Sequence, residues 1–275
     1  MCELTNLFDE SVVIKQSAPE IGVEVEGLEN SKWTSLAVAN GLRRLLDRYL
    51  VVVVRDQFLQ ARSLRELVRH FGPLFLHHAD EGVIFAEGFD DVLEMRKEPD
   101  GNRLFGGSEW HADVTFRNPA GLYSALSAQV LPIIGGDTGF ASTVAAYDGL
   151  SAGMREFLQA LNAVHSYNGP GQPDHPTETA VHPVIREHPV TKRKGIYLNK
   201  MFVSRFEGMS EAESKPLIDY FDQYMSQSEF IFRHRWREGD LVIWDNRFTL
   251  HYPINDFTGQ RRVLYRCTAM EQASN

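Results

Sequence analysis

Apolar residues recur near helical spacing across residues 31–49, where Leu36, Val38, Leu42, Leu45 and Leu46 gather on one side, and the pattern predicts an amphipathic helix. It runs directly into Leu50-Val51-Val52-Val53-Val54-Arg55, an aliphatic run too short to cross a bilayer and suited to a buried strand. Residues 61–70 predict a second helix, stopped by Phe71-Gly72-Pro73. Two more helices are expected over 151–161 and 210–225, the latter opened by Ser210 with Glu213 three residues on, a capping-box pattern. Short β-like runs occupy 83–85, 92–95, 114–116, 122–130, 195–198, 229–236, 240–244 and 261–269, with a tight turn at Glu238-Gly239-Asp240. The densest loop chemistry lies in 166–176, around Gly169-Pro170-Gly171-Gln172-Pro173, and a loop of that length in a compact domain is commonly functional. Many short strands with a few helices give an α+β, mainly β class: a sandwich or barrel decorated by helices.

The 275 residues suffice for one such domain, and no linker or repeat divides them, so a single domain over 1–275 is expected. A net charge of −9 argues against a general nucleic-acid or anionic-membrane surface. Two cysteines, Cys2 and Cys267, are too few for a disulfide framework, and the first residues carry no leader pattern, so a reducing, cytoplasmic setting is expected. Homo-oligomerisation is left open. The charge is uneven: residues 227–266 hold seven Arg against five acids, so the rest of the chain carries −11. Solvated strand faces account for most exposed charge; the sharper reading is that some of these Arg face inward toward a small anion.

Two His-Ala-Asp tripeptides occur, at His78 and at His111, and about one such match is expected by chance from ten His and 37 acids. The second is embedded in Trp110-His111-Ala112-Asp113-Val114-Thr115-Phe116. In an extended strand His111 and Asp113 would share a face and converge on one metal ion. His251, far along the chain, is the candidate third ligand. Two imidazoles and one carboxylate on one face of a metal form the facial triad of non-haem Fe(II) oxygenases; a zinc hydrolase could use the same residues, and a barrel that binds an organic acid without turnover is a third reading. Arg262 and Arg266 share one strand face, about 13 Å apart, and could each fork onto a separate anion. In Gly135-Gly136-Asp137-Thr138 a hydroxyl follows a glycine turn and can donate to the same anion as Arg262, while Arg261 points outward.

With these residues in order, the chain resembles the taurine dioxygenase (TauD/TfdA) family of Fe(II)/2-oxoglutarate-dependent dioxygenases, which also contains chlorophenoxyacetate and alkylsulfate enzymes. The resemblance runs from Tyr49 to Met270 and includes Arg55-Asp56-Gln57, Phe71-Gly72-Pro73-Leu74, the Trp110 block, Gly135-Gly136-Asp137-Thr138, Ala145-Ala146-Tyr147, His182-Pro183-Val184, Trp244-Asp245-Asn246-Arg247 and the block around Arg262. It implies a double-stranded β-helix (jelly roll) with flanking helices. It implies that His111, Asp113 and His251 bind Fe(II), and that Thr138 and Arg262 hold the distal carboxylate of 2-oxoglutarate. His77 and Arg266 would contact a small anionic organic substrate. O2 is the second cosubstrate, and succinate and CO2 are products. The presence of Asp113 implies hydroxylation or a related oxidation rather than halogenation. Trp244 and Asn246 are expected to pack and to hydrogen-bond at a strand end. Gly107 stands where the taurine enzyme has an amide side chain, and residues 162–183 form a shorter segment than its counterpart there. Both departures leave sulfonates, carboxylates and amino-acid-derived metabolites open as substrates.

Overall fold

The valines of strand β3 (Val51–Val54) divide between two cores. Val52 and Val54 pack under the helices α1 (Leu36–Tyr49) and α2 (Ala61–Arg69), and Val51 and Val53 face the interior of the barrel. A strand covered on both faces reads as continuous hydrophobicity. Its antiparallel neighbour β13 (Leu241–Asp245) repeats the division, with Leu241 and Ile243 on the helix side and Val242 and Trp244 inside. The computed structural model describes residues 8, 11–29, 35–77, 83–101, 109–167 and 178–272. Within them these two strands lie in a seven-stranded sheet. Its order is β1 (Val13–Gln16), β2 (Val23–Glu26), β3, β13, β5 (Gly121–Val130), β15 (Arg262–Met270), β4 (Leu93–Lys97).

A smaller sheet of β12 (Ile231–His234), β6 (Thr138–Ser142) and β14 (Thr249–Pro253) covers the interior face. Phe140 and Phe232 from this sheet, with Phe248, meet Leu126, Val242, Trp244 and Leu264 of the large one. Two layers packed face to face in this way, antiparallel apart from the parallel pair β2–β3, make a double-stranded β-helix. Outside the small sheet, α3 (Thr143–Gly149), α4 (Ala152–Gln159) and α5 (Glu211–Met225) surround a third core with Leu158, Phe206 and Phe221. The remaining strands form the sheet β11 (Val203–Phe206), β7 (Asn162–Tyr167), β8 (Glu178–Pro183) and the hairpin β9 (Ile185–Glu187), β10 (Lys194–Ile196).

Most predicted elements recur with shifted ends, and the Ser210–Glu213 capping box is present in both directions. Several segments depart from the predicted elements. Residues 114–116 are a turn, with Val114 at φ +56°, although Val-Thr-Phe favours a strand; tertiary bonds described below override the propensity. Residues 83–85 contribute only a bridge from Phe85 to Leu93. Strands β6 and β14 give no period-2 signal because nearly every residue in them is buried. The start of the helix predicted from residue 31, the motif at His78, Gly107, and all of the loop 166–176 after Tyr167 lie outside the described residues. Among the described residues no helix is long and apolar enough to cross a membrane.

At one end of β3 and β13 a buried ion pair fixes their register. Arg55 Nη1 donates to Asp240 Oδ2 at 2.7 Å, and its Nε donates to Glu24 Oε2 at 3.0 Å. Asp240 is fully buried and also accepts from the Arg237 amide. Removing one partner of a buried pair strands the other charge, so Asp240→Asn is expected to lower unfolding stability in urea by about 3 kcal/mol. Glu24→Gln, at the more exposed partner, should cost clearly less. His188 sits buried after β9, its Nδ1 accepting from the amides of Val190 and Thr191. Burial pushes its pKa down to about 4, against the pull of Asp245. A histidine kept neutral in the fold adds stability that is complete above its unfolded pKa near 6.5 and is lost as pH falls toward 4. His188→Asn keeps an acceptor for the two amides, and the drop in urea stability between pH 7 and pH 4 should shrink by about 3 kcal/mol.

Candidate active site

Backbone pairing brings the first two candidate ligands together. His111 and His251 form an antiparallel bridge, with His111 N donating to His251 O at 3.1 Å and His251 N donating to His111 O at 2.7 Å. Their rings lie 4.1 Å apart. His251 stands on β14 opposite Phe140 of β6, so its ring points inward between Phe140 and Trp244. Asp113 arrives by a different route from the strand alternation the sequence suggests. It opens the turn through Val114, and its Oδ1 lies 3.7 Å from His111 Nε2 and 3.8 Å from His251 Nε2.

These distances exceed a hydrogen bond and are somewhat wider than the roughly 3.0–3.4 Å between neighbouring ligand atoms held about 2.1 Å from one ion, so a bound cation would draw the three in by a few tenths of an ångström. His111 Nδ1 faces the Glu109 carbonyl at 2.9 Å, which can only accept, so the proton sits on Nδ1 and the Nε2 lone pair points inward. Burial pushes both imidazoles toward the neutral form, with Asp113 acting against it. Burial alone would raise the Asp113 pKa, but Arg266, His251, His111 and the Ser124 hydroxyl outweigh it and hold the carboxyl well below its usual range. Two neutral imidazoles and one carboxylate, buried with ligand atoms all within 4.8 Å of one another, suit a divalent cation.

A chain of hydrogen bonds aims the carboxylate. Ser124 Oγ, on the inner face of β5, donates to Asp113 Oδ2 at 2.6 Å. It accepts from Asn246 Nδ2 at 3.0 Å, and Thr268 Oγ1 lies 2.9 Å away. Asn246 Oδ1 accepts from the Asp113 amide at 3.0 Å and from the Trp244 indole at 2.9 Å. Arg266 Nη2 reaches Asp113 Oδ1 at 2.5 Å. Trp244 and Asn246 thus fill the expected packing and hydrogen-bonding parts. Ser124 and Thr268 escaped sequence reading, because a hydroxyl on a strand looks the same whichever face it occupies.

A cavity lined by Thr138, Trp244, His251, Arg262, Arg266, Met95, Leu126 and Pro253 runs between the two sheets. Arg262 is buried and stacks on Trp236 and Phe257, each centroid 5.6 Å away. Burial brings its pKa down to about 9, with Asp137 and Asp256 acting against it, so it stays cationic at neutral pH. Trp236 Nε1 donates to Thr138 Oγ1 at 3.0 Å. The glycine turn before Thr138 is needed sterically: Gly135 and Gly136 have φ +83° and +73°, and a Cβ on Gly136 would press on Pro132 and on Arg262 Nε. Arg261 is exposed and pairs with Glu98, as alternation requires. His77 packs edge-on to Phe75 at 4.6 Å, in a ring cluster that continues through Phe116 and Phe202 to the His111 ring.

The family model described as taurine catabolism dioxygenase TauD, TfdA family, matches residues 14–268. The chain is 33% identical over 287 residues to an alpha-ketoglutarate-dependent 2,4-dichlorophenoxyacetate dioxygenase of Cupriavidus pinatubonensis, spanning 96% of this chain and 99% of that protein. It is 31% identical over 273 residues to an alkylsulfatase of Acinetobacter baylyi, spanning 93% and 84%. Among solved structures it is similar to AAD-2 in complex with Mn(II) and N-oxalylglycine, with a TM-score of 0.81, 26% identity and coverage of 95% and 98%. A taurine dioxygenase from Burkholderia xenovorans gives a TM-score of 0.81 at 28% identity, covering 95% and 90%. The chain therefore belongs to the TauD/TfdA family of Fe(II)- and 2-oxoglutarate-dependent dioxygenases.

Proposed function

We propose that His111 Nε2, His251 Nε2 and Asp113 Oδ1 hold the iron, that Thr138 and Arg262 hold the distal carboxylate of 2-oxoglutarate, and that Arg266 and His77 meet a small organic anion. The observation that carries this reading is that His251, Arg266, Thr138 and Arg262 line one and the same cavity. Bound Fe(II) and 2-oxoglutarate supply an oxidative decarboxylation in which one oxygen of O2 enters succinate, the other enters the substrate C–H bond, and CO2 leaves. The chain's own residues bind, orient and exclude water. The indole N–H of Trp236 can only donate, so it occupies the Thr138 oxygen as an acceptor and leaves the Thr138 hydroxyl proton for a carboxylate. Arg262, buried between two aromatic rings, offers a fork to the same carboxylate where water is excluded.

Arg266 shares its guanidinium between Asp113 and the cavity, so a substrate anion reaching it would also sense the ligand carboxylate. The relatives' sulfate ester and aryloxy acid substrates suggest the same range here: a sulfonate, sulfate ester or carboxylate. A zinc hydrolase leaves Thr138 and Arg262 without a task, and a binding barrel has no need of three deprotonated ligands. We further propose one catalytic domain, because β3, β5 and β13 each contribute to both cores beside the large sheet. We propose a cytoplasmic setting, on the scarcity of cysteine, and no nucleic-acid or membrane partner, on the negative charge.

Anaerobic addition of Fe(II) and 2-oxoglutarate should produce the weak visible charge-transfer band of the chelate, and oxygen should then release succinate. His251→Ala is expected to lose the band; zinc-dependent ester or amide cleavage with neither band nor succinate would overturn the reading. Arg262→Gln should raise the 2-oxoglutarate concentration for half-maximal succinate release by about 100-fold, as for a lost buried charge pair. Arg266→Gln, which keeps a donor for Asp113, should leave that concentration within a few-fold and weaken coupling to substrate. If the two variants behave the other way round, the two arginine assignments exchange.

A further inference from the structure

We infer that His165 and His182, on the outer sheet of β11, β7 and β8, are positioning residues that aim Asp113 by clamping Thr115 through its hydroxyl and its carbonyl. The inference rests on Asp113 being an iron ligand. Its starting point is Val114, a β-branched residue at φ +56° directly after Asp113. That conformation is strained for a β-branched residue and persists only where surrounding contacts over-determine it.

Thr115 supplies those contacts and is fully buried. Asn199 Oδ1 accepts from the Phe202 amide at 2.9 Å, which fixes the orientation of the amide and turns its Nδ2 toward Thr115 Oγ1 at 3.3 Å. His165 Nδ1 lies 2.9 Å from the same oxygen. His182 Nε2 lies 2.9 Å from the Thr115 carbonyl and 3.1 Å from the Arg117 carbonyl. Carbonyls only accept, so the His182 proton sits on Nε2 and both bonds are donated from it. The two imidazoles pack edge to face at 5.2 Å, and His165 stacks on Tyr197 at 5.3 Å, so neither ring has room to swing. Burial disfavours the charged form of both.

Two neutral imidazoles buried beside one turn are costly unless their polar atoms are used. Here His182 Nε2 holds the carbonyl and His165 Nδ1 the hydroxyl that fix the strained turn, while His165 Nε2 is buried without a hydrogen-bond partner among the described residues. Asn246 takes the Asp113 amide from the opposite side, and Gly121 N donates to the Val114 carbonyl. The turn is therefore gripped from the large sheet and from the outer sheet, and the aim of Asp113 depends on both.

The test is Mn(II) binding to the full chain, followed by the EPR signal of free and bound metal. His182→Leu and His165→Leu should weaken binding by about 10- to 100-fold, as for lost outer contacts of a ligand. His182→Gln offers an N–H donor in the same place and should stay within about threefold of the parent. Leu158→Ala, in the outer core away from the turn, should lower the melting temperature and leave Mn(II) affinity unchanged. The inference is overturned if His182→Leu binds Mn(II) as the parent does, or if Leu158→Ala weakens binding equally. Should the leucine variants not fold, Thr115→Val decides, by weakening binding about tenfold or leaving it unchanged. A parent chain that binds no Mn(II) instead overturns the assignment of the triad.

Discussion

A carboxylate taken out of water loses several kcal/mol of hydration unless charges and hydrogen bonds replace it. Asp113 lies among two neutral imidazoles that offer it no proton, and its compensation comes from Arg266 on one oxygen and Ser124 on the other. Those two residues stand on the inner faces of β15 and β5, which are paired with each other, so the carboxylate takes its ionised state and its direction from one sheet. The interior positions of that sheet are accordingly polar near the triad, at Ser124, Thr268 and Arg266, and apolar farther off, at Leu126, Ala128 and Leu264. Arg262 returns charge to the far end of the same face, between the rings of Trp236 and Phe257. The basic excess of residues 227–266 resolves in the same way. Arg233 and Arg261 pair at the surface, Arg247 is spent on Asp245, and only Arg262 and Arg266 reach the cavity.

Much of this was legible in the sequence wherever burial on one face leaves alternation intact. Arg261 out and Arg262, Leu264 and Arg266 in follow from the period of two, and the valines of β3 from their unbroken run. In the sequence, the pairing of His111 with Asp113 rests on a local premise that the structure replaces. A strand over 114–116 would have carried both side chains to one face; the chain instead turns, and convergence comes from a backbone bridge to His251 and from hydrogen bonds spanning more than a hundred residues. No window of neighbouring residues contains that information. Ser124, Thr268 and Thr115 were invisible for a related reason, since a hydroxyl discloses its use only through the partner that folding brings to it.

The triad is held by two kinds of constraint with different stiffness. His111 and His251 are tied by reciprocal backbone hydrogen bonds, so their spacing is set by that bridge more than by the side chains around it. Among the described residues Asp113 has no such partner strand. Its position depends on the Asn246 side chain at its amide, on Ser124 and Arg266 at its oxygens, and on a turn whose second residue is strained. Buried side-chain hydrogen bonds accumulate where backbone pairing gives out, because each unpaired group in that turn would otherwise be desolvated without return. It follows that the histidine edge of the site should tolerate change in its surroundings, while the carboxylate edge is where distant substitutions are felt. A cation bound among the three would close the remaining side of that triangle, stabilising the fold by its binding free energy and drawing the softer corner toward the stiffer edge.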